Sequence, residues 1–292
     1  MSETTTAQHH DRLREYYEDT WFDYRFLWLD PRTRALHFGY EPVPPVGRLR
    51  HDEALLALNA IMADLAHIEP GQRVLDAGCG VGGSSMWLAE QRGVTAVGVN
   101  VVVDHIERAR TYAAERSLGD RVSFEVADYT ATGLDAASFD VAWALESACH
   151  APSKAALGAE LGRVVRPGGR LVMAEYVLDR RHEHTSAHIA RWEQSWEMTL
   201  ASRADWTAAL EAGGWTQIEF FDITESVYRS LRRLRRLCRL LSPIARVLRL
   251  VGIRTAAQQR NIAGSVALWD SLQAGDWRYC LVSAVRADQP AG

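Results

Sequence analysis

Three short stretches of this sequence hold residues whose types and spacing could do chemistry. The first, GGRLVMAEYVLD at 168–179, places Glu175 after the apolar Leu171, Val172 and Met173 and before Tyr176. Burying an ionised carboxylate at the tip of an apolar strand is costly unless a positive charge comes near it. A salt bridge to Arg180 or Arg181 is one source of that charge, and a positive centre on a substrate is another. The second stretch, VLDAGCGVGG at 74–83, sets Asp76 beside Gly78, Gly80, Gly82 and Gly83. Such glycines permit positive φ and let a ligand approach the backbone closely. The third, WALESACHAPSK at 143–154, holds Glu146, Cys149 and His150. Glu146 suits either a cofactor's hydrogen-bond network or a structural ion pair. His150 suits a proton relay or a positioning bond. No Ser-His-Asp arrangement accompanies them. His182, His184 and His188 raise a zinc reading, but the pattern is not H-E-x-x-H, and i, i+4 histidines recur by chance on exposed helices.

The elements that must position these residues alternate. Strands are expected over 73–78, 94–100, 122–128, 140–146 and 170–176, with helices over 82–92, 103–116 and 153–165 between them. This pattern predicts a mostly parallel sheet with helices on both faces, whose ligands bind at the carboxyl ends of the strands. A helix is expected over 50–67, preceded by an aromatic-rich, irregular segment at 1–48 with prolines at 42, 44 and 45. Beyond the sheet core the pattern predicts helix at 183–212, a sixth strand at 213–224, mostly helix over 227–274 and a last strand at 276–287. The protein then divides into a cap and helix at 1–70, a core at 71–222, a helical basic lid at 223–275 and a final strand and tail at 276–292. With 292 residues and a net charge of −4, the composition is that of an ordinary globular protein and does not favour nucleic acid as a partner. No apolar run is long enough to span a bilayer. The four cysteines, Cys79, Cys149, Cys238 and Cys280, form no CxxC pair, which points to reduced thiols in a cytoplasmic protein.

Gly78-Cys79-Gly80-Val81-Gly82-Gly83 fits a dinucleotide fingerprint as a bare string. The D-x-G-x-G turn, the strand at 94–99, VADYT and VVRPGGRL together resemble, over roughly 50–222, the class I (Rossmann-like) methyltransferases, which bind S-adenosyl-L-methionine. The resemblance implies that Asp76 lies near the methionine amino group, that Gly78, Cys79 and Gly80 make room for the cofactor, and that Asp128 and Tyr129 flank the adenine. Where most of that family ends its second strand in Asp or Glu, GVN supplies Asn100, whose amide can still serve the ribose. GVNVVVDHIERA resembles the corresponding segment of the C-methyltransferases that alkylate sterol side chains, with His105 in place of a ribose-side Gln. WALESACHAPSK resembles theirs more closely, and Glu146 would belong to the cofactor site. The related geranyl diphosphate C-methyltransferases share the aromatic N-terminal segment and a glutamate at this strand end.

In such enzymes an alkene attacks the sulfonium methyl and becomes a tertiary carbocation. The resemblance thereby supplies a positive charge for Glu175, which would stabilise the cation and then remove a proton. His37, Phe38, Trp196 and Trp215 are candidates for the acceptor pocket, Trp215 as an end wall that limits the length of the acceptor. Trp192 and Trp206 lie in the same region of sequence. The basic segment 227–254 holds nine arginines and no acidic residue, with Leu231, Leu234, Cys238 and Leu241 at helical spacing. It reads as a lid that captures diphosphate, with Mg2+ able to bridge, as a peripheral contact with an anionic membrane, or as a solvated face. The preferred expectation is C-methylation of geranyl diphosphate at carbon 6. The alternatives are a sterol side chain, an O- or N-methyltransferase and a non-enzymatic cofactor sensor. Metal ligands are unassigned, and a homo-oligomer is open.

Overall fold

The computed structural model describes residues 3–43, 47, 49–180 and 182–288. In sequence order it places α1 (Glu3–Asp23), a π-helical turn (Tyr24–Trp28), α2 (His51–Leu65), β1 (Arg73–Ala77), α3 (Gly83–Arg92), β2 (Thr95–Asn100), α4 (Val103–Glu115), β3 (Val122–Val126), β4 (Phe139–Leu145), a 3-10 turn (Ala148–His150), α5 (Lys154–Val164), β5 (Val165–Leu178), a second 3-10 turn (His182–His184), α6 (Ala187–Trp196), β6 (Ala201–Ser202), α7 (Arg203–Ala212), β7 (Trp215–Asp222), α8 (Thr224–Leu250), α9 (Ala256–Gln273) and β8 (Trp277–Arg286). The sheet runs β3-β2-β1-β4-β5-β8-β7, with short β6 pairing β5. Strands β1 to β5 are parallel, whereas β8 runs antiparallel between β5 and β7. The order reverses between β1 and β4, so the loops leaving those strands open the crevice where ligands of such sheets bind.

Successive residues of a strand face opposite sides. On β5, Val172, Ala174 and Tyr176 join the core that includes α2, α6, α8 and α9, while Leu171, Met173 and Val177 join the core beneath α5 and α7. Helices α8 and α9 are inserted between β7 and β8, the last two strands in sequence, as the pattern anticipates.

Two expectations need correction. Segment 1–48 is not irregular throughout, because 3–23 form a helix that buries Leu13, Tyr16 and Thr20. The helix expected at 183–212 is interrupted: Glu197 takes a left-handed φ of 49°, and β6 separates α6 from α7. The stretch 227–274 is mostly helical, as anticipated, in two helices: α8 ends before Gly252, with φ +77°, and α9 starts after Thr255, whose hydroxyl caps the backbone NH of Gln258 at 3.1 Å. That capping box outweighs an unbroken helical pattern. The prolines at 44 and 45 lie outside the described residues.

Glycines let α5 and α7 approach closely. A Cβ at Gly162 would run into the Gly213 carbonyl, and one at Gly213 into the Gly158 carbonyl. The contact closes with the Trp215 indole NH donating to the Gly158 carbonyl at 3.0 Å. Gly162→Ala should therefore lower stability by about 1–3 kcal/mol through overpacking. That loss is read as a reduced urea midpoint at unchanged slope, and an unaltered midpoint would contradict this packing account.

Candidate active site

The loop after β1 is shaped by what a side chain would strike. Gly78 has φ +85°, and a Cβ there would meet the side chain of Ser147. Its backbone NH and that of Cys79 donate to the Val99 carbonyl at 2.9 and 3.1 Å, tying the loop to β2. Gly80, with φ +54°, faces a cavity that Asp76, Gly78, Cys79, Asn100, His105, Tyr129, Glu146 and His150 also line. Asp76 is 2% exposed and accepts the Ser85 hydroxyl at 2.5 Å, and burial raises its carboxyl to about 6. The Asn100 side-chain oxygen caps the Val102 NH at 3.0 Å at the end of β2. His105 is buried against the rings of Tyr17 and Trp21, and neither of its ring nitrogens has a partner. Burial lowers it to about 3, so its ring is neutral and can both donate and accept. Tyr129 donates its hydroxyl to the Ser147 carbonyl at 3.0 Å.

These observations test whether a nucleoside cofactor fits. The glycine-cleared floor, the orphaned polar ring of His105 and the buried Asp76 carboxylate offer room and hydrogen bonds on one wall, and the fit is good. Asp128 stands just outside the cavity lining, accepting from the Thr130 NH and hydroxyl and, at 3.2 Å, from His10 on α1. Through His10, and through a bond at 2.8 Å between the His9 ring and the His150 carbonyl, α1 is latched over this wall.

Opposite it stands Glu146. This residue ends β4 with a left-handed φ of 51°, uncommon for a non-glycine and strained by about 1–3 kcal/mol. Its carboxylate accepts three bonds: from the Phe38 NH at 2.8 Å, the Tyr176 hydroxyl at 2.7 Å and the Tyr279 hydroxyl at 2.6 Å. Burial nevertheless raises it to about 7. Around it the cavity wall is aromatic, with Tyr17, Tyr24, Trp28, Tyr176 and Trp196.

Glu175 is elsewhere. Its neighbour Tyr176 faces the cavity, so the pleat turns Glu175 to the other face of the sheet. It is 1% exposed, is absent from the cavity wall and accepts the backbone NH of Cys149 at 2.8 Å and of Tyr176 at 2.8 Å. Burial raises its carboxyl, and the nearby Lys154 ammonium works against that rise. Among the described residues the alternative salt bridge from Glu175 to Arg180 does not form, and Arg181 lies outside those residues. The positive charge near Glu175 is Lys154, whose ammonium donates to the carbonyls of Ala148, Cys149 and Ala151. Glu175 thus braces the turn that carries His150, and does not reach the cavity.

His150 lines the cavity with both ring nitrogens engaged, one with the Tyr17 hydroxyl at 3.1 Å and one with the Glu197 carbonyl at 3.1 Å. Burial lowers it to about 4. This geometry suits positioning better than a relay. His37 lies between the main cavity and a smaller adjoining one. Its Nδ1 is bonded to the Phe38 carbonyl at 2.8 Å, and its Nε2 has no partner. Phe38 lines the smaller cavity and packs edge-on against Tyr176 and Tyr279. Trp196 lines the main cavity, edge-on to Trp28. Trp215 does not: it is buried among α5, α7 and the sheet, which removes it as an end wall. Trp192 and Trp206 are also plain core, on opposite faces of the sheet.

Sequence reasoning missed Tyr17, Tyr24, Trp28, Tyr176 and Lys154. Helical spacing of Leu13 and Tyr17 was an available signal for α1, whereas β5, apolar on both faces, offered none for Tyr176. Among the described residues, no group of three His, Cys, Asp or Glu side chains is arranged to hold a metal ion. His182 is bonded to Glu193 at 2.8 Å.

Residues 75–173 match the family described as the methyltransferase domain. Methyltransferase GfsG of Streptomyces halstedii is 33% identical over 196 residues, covering 66% of this chain and 70% of that protein. The sterol 24-C-methyltransferase of Saccharomyces cerevisiae is 34% identical over 182 residues, but the alignment covers only 61% of this chain and 46% of the yeast protein. Among solved structures, a geranyl diphosphate C-methyltransferase from Streptomyces coelicolor A3(2), in complex with Mg2+, geranyl diphosphate and S-adenosyl-L-homocysteine, superposes with a TM-score of 0.72 over 96% of this chain and 98% of that one. At 19% identity that likeness shows the fold alone. The mostly parallel sheet, the glycine loop after its first strand and these relatives agree: the chain belongs to the S-adenosylmethionine-dependent class I methyltransferases.

Proposed function

We propose that the protein C-methylates a prenyl diphosphate alkene, with geranyl diphosphate methylated at carbon 6, and that Glu146 rather than Glu175 faces the cation. The observation that carries this reading is the Glu146 carboxylate. It is buried in an aromatic-walled cavity shared with the cofactor wall, and burial holds it near neutrality instead of in the ordinary carboxylate range.

Asp76, Asn100, His105 and Tyr129 would hold the cofactor, which when bound supplies an electrophilic sulfonium methyl to the alkene. The alkene electron pair would form the bond from that methyl to carbon 6 while the methyl–sulfur pair returns to sulfur as the neutral thioether of S-adenosylhomocysteine, leaving a tertiary cation at carbon 7. Glu146 stabilises that charge and takes a proton from a neighbouring carbon, whose C–H pair restores a double bond. Tyr17, Tyr24, Trp28 and Trp196 turn aromatic surface toward it. A cation over such a ring gains roughly 0.5–2 kcal/mol. The same apolar wall excludes the water that would trap the cation.

The diphosphate end has a candidate place in the smaller cavity, which shares Trp28 and His37 with the main one and is also lined by His51, Ser230 and Arg233. Arginine suits phosphate oxygens in a fork, and an anion there favours a protonated His37 ring, whose free Nε2 then donates. Because the described residues present no metal cluster, any Mg2+ would be held chiefly by the diphosphate.

Incubation with labelled S-adenosylmethionine and geranyl diphosphate, farnesyl diphosphate or a sterol, with and without Mg2+, followed by mass spectrometry, tests the acceptor. A methylated geranyl diphosphate is expected. Exclusive methylation of a sterol, an oxygen or a nitrogen would overturn the assignment.

Glu146→Gln should lower kcat by about 100-fold or more, the range of a lost general base or electrostatic partner, while cofactor binding persists. In contrast, Glu175→Gln should keep turnover in the folded enzyme and cost about 1–3 kcal/mol of stability, since one of its two backbone donors loses its acceptor. The reverse pattern in steady-state kinetics and urea unfolding would restore Glu175 to the mechanism.

Glu146 must be ionised to act, and its carboxyl titrates at about 7. The kcat/KM profile should therefore fall as pH drops below about 7, reporting the free enzyme's base. A profile flat down to the ordinary carboxylate range would contradict this.

Asp76→Asn should weaken cofactor binding about tenfold or more in calorimetry, as expected when a charge-assisted bond is lost. Unchanged affinity would remove Asp76 from the site.

A further inference from the structure

The cofactor and acceptor cavities leave the second half of α8 unexplained. The helix buries Leu231, Leu234, Cys238 and Ala245 against the body. Yet Leu240, Ile244, Val247 and Val251 are 74, 57, 58 and 63% exposed. Their spacing of four, three and four residues aligns them in one stripe along the outer face. Leu250 and Ile253, 86 and 70% exposed, extend it around the turn into α9. Along one flank of this stripe run Arg236, Arg239 and Arg246, all exposed. Among the described residues none of the three forms an ion pair, whereas Arg229, Arg235 and Arg254 of the same segment are paired with Glu41, Asp270 and Asp23.

An apolar stripe flanked by unpaired arginines is the pattern of a helix that lies in a membrane interface. It is too large and too ordered in its spacing to be scattered surface apolarity. The charge selects the partner: no acidic residue occurs from 226 to 254, although the net charge of the whole protein is −4, so this helix is a basic element on an otherwise acidic protein. No described helix is long and apolar enough to cross a membrane, so the contact is peripheral.

We propose that the outer face of α8, from Arg236 to Ile253, docks the protein on an anionic phospholipid surface. The apolar stripe enters the headgroup boundary and the arginines meet lipid phosphates. This docking is independent of which acceptor is methylated.

Sedimentation of the full-length protein with vesicles tests it. Vesicles of phosphatidylcholine containing about 30 mol% phosphatidylglycerol should bind the protein at low salt, and phosphatidylcholine alone should not. Ile244→Glu/Val247→Glu should reduce binding at least about tenfold, as should Arg239→Glu/Arg246→Glu, whose residual binding should be insensitive to salt. Both variants should keep the circular dichroism and cofactor affinity of the wild type. Absence of binding to the anionic vesicles, or equal binding by the apolar variant, would overturn the proposal. So would light scattering showing a wild-type dimer that Ile244→Glu/Val247→Glu dissociates, because the stripe would then be covered by a second copy of the protein.

Discussion

One carboxylate organises this site. Glu146 draws bonds from the Phe38 NH, the Tyr176 hydroxyl and the Tyr279 hydroxyl, and so joins the N-terminal segment, β5 and β8 at the mouth of the sheet. A hydrogen bond to a charged group contributes about 1.5–3 kcal/mol, and a buried carboxylate deprived of such bonds costs far more. The left-handed backbone at Glu146 is the local strain these bonds offset. Without the carboxylate, Phe38 would lose its backbone acceptor and both tyrosine hydroxyls would be left buried.

The second carboxylate, Glu175, has a supporting part. It holds the Cys149 NH on the turn that Lys154 grips through three carbonyls. That turn carries His150, whose ring fixes Tyr17 of α1. A series of bonds therefore runs from the far face of the sheet to the helix that roofs the cofactor wall. The two glutamates sit at the ends of adjacent strands, yet only one faces the reaction space.

Much of this was legible in the sequence. The alternation of strand and helix and the glycine loop located the parallel sheet and the glycine-lined cavity beside it, because period and turn chemistry are local properties. What failed was parity. Strand β5 is buried on both faces, so LVMAEYVL shows no polar alternation to say which side Glu175 takes. The side is set in the folded protein, where Tyr176 turns to the cavity and, with Tyr279, bonds the Glu146 carboxylate. Trp215 was misplaced for a related reason: its indole is drawn to the Gly158 carbonyl, which the close approach of α5 and α7 exposes. The N-terminal helix was only weakly marked, by the spacing of Leu13 and Tyr17, because its aromatic residues are weak helix formers, and its stability comes from packing on α9, where the buried Tyr16 hydroxyl donates to Asn261.

The resulting picture assigns the cation to Glu146 and the scaffold to Glu175, and this division can be measured without turnover. A tertiary-amine isoprenoid analogue, protonated at neutral pH, carries a positive charge where the cation would form. Its affinity, measured by calorimetry with S-adenosylhomocysteine present, should fall at least about tenfold in Glu146→Gln, the scale of a lost charge-assisted contact, and stay near wild type in Glu175→Gln. Unchanged affinity in Glu146→Gln, with the loss appearing in Glu175→Gln instead, would contradict the account.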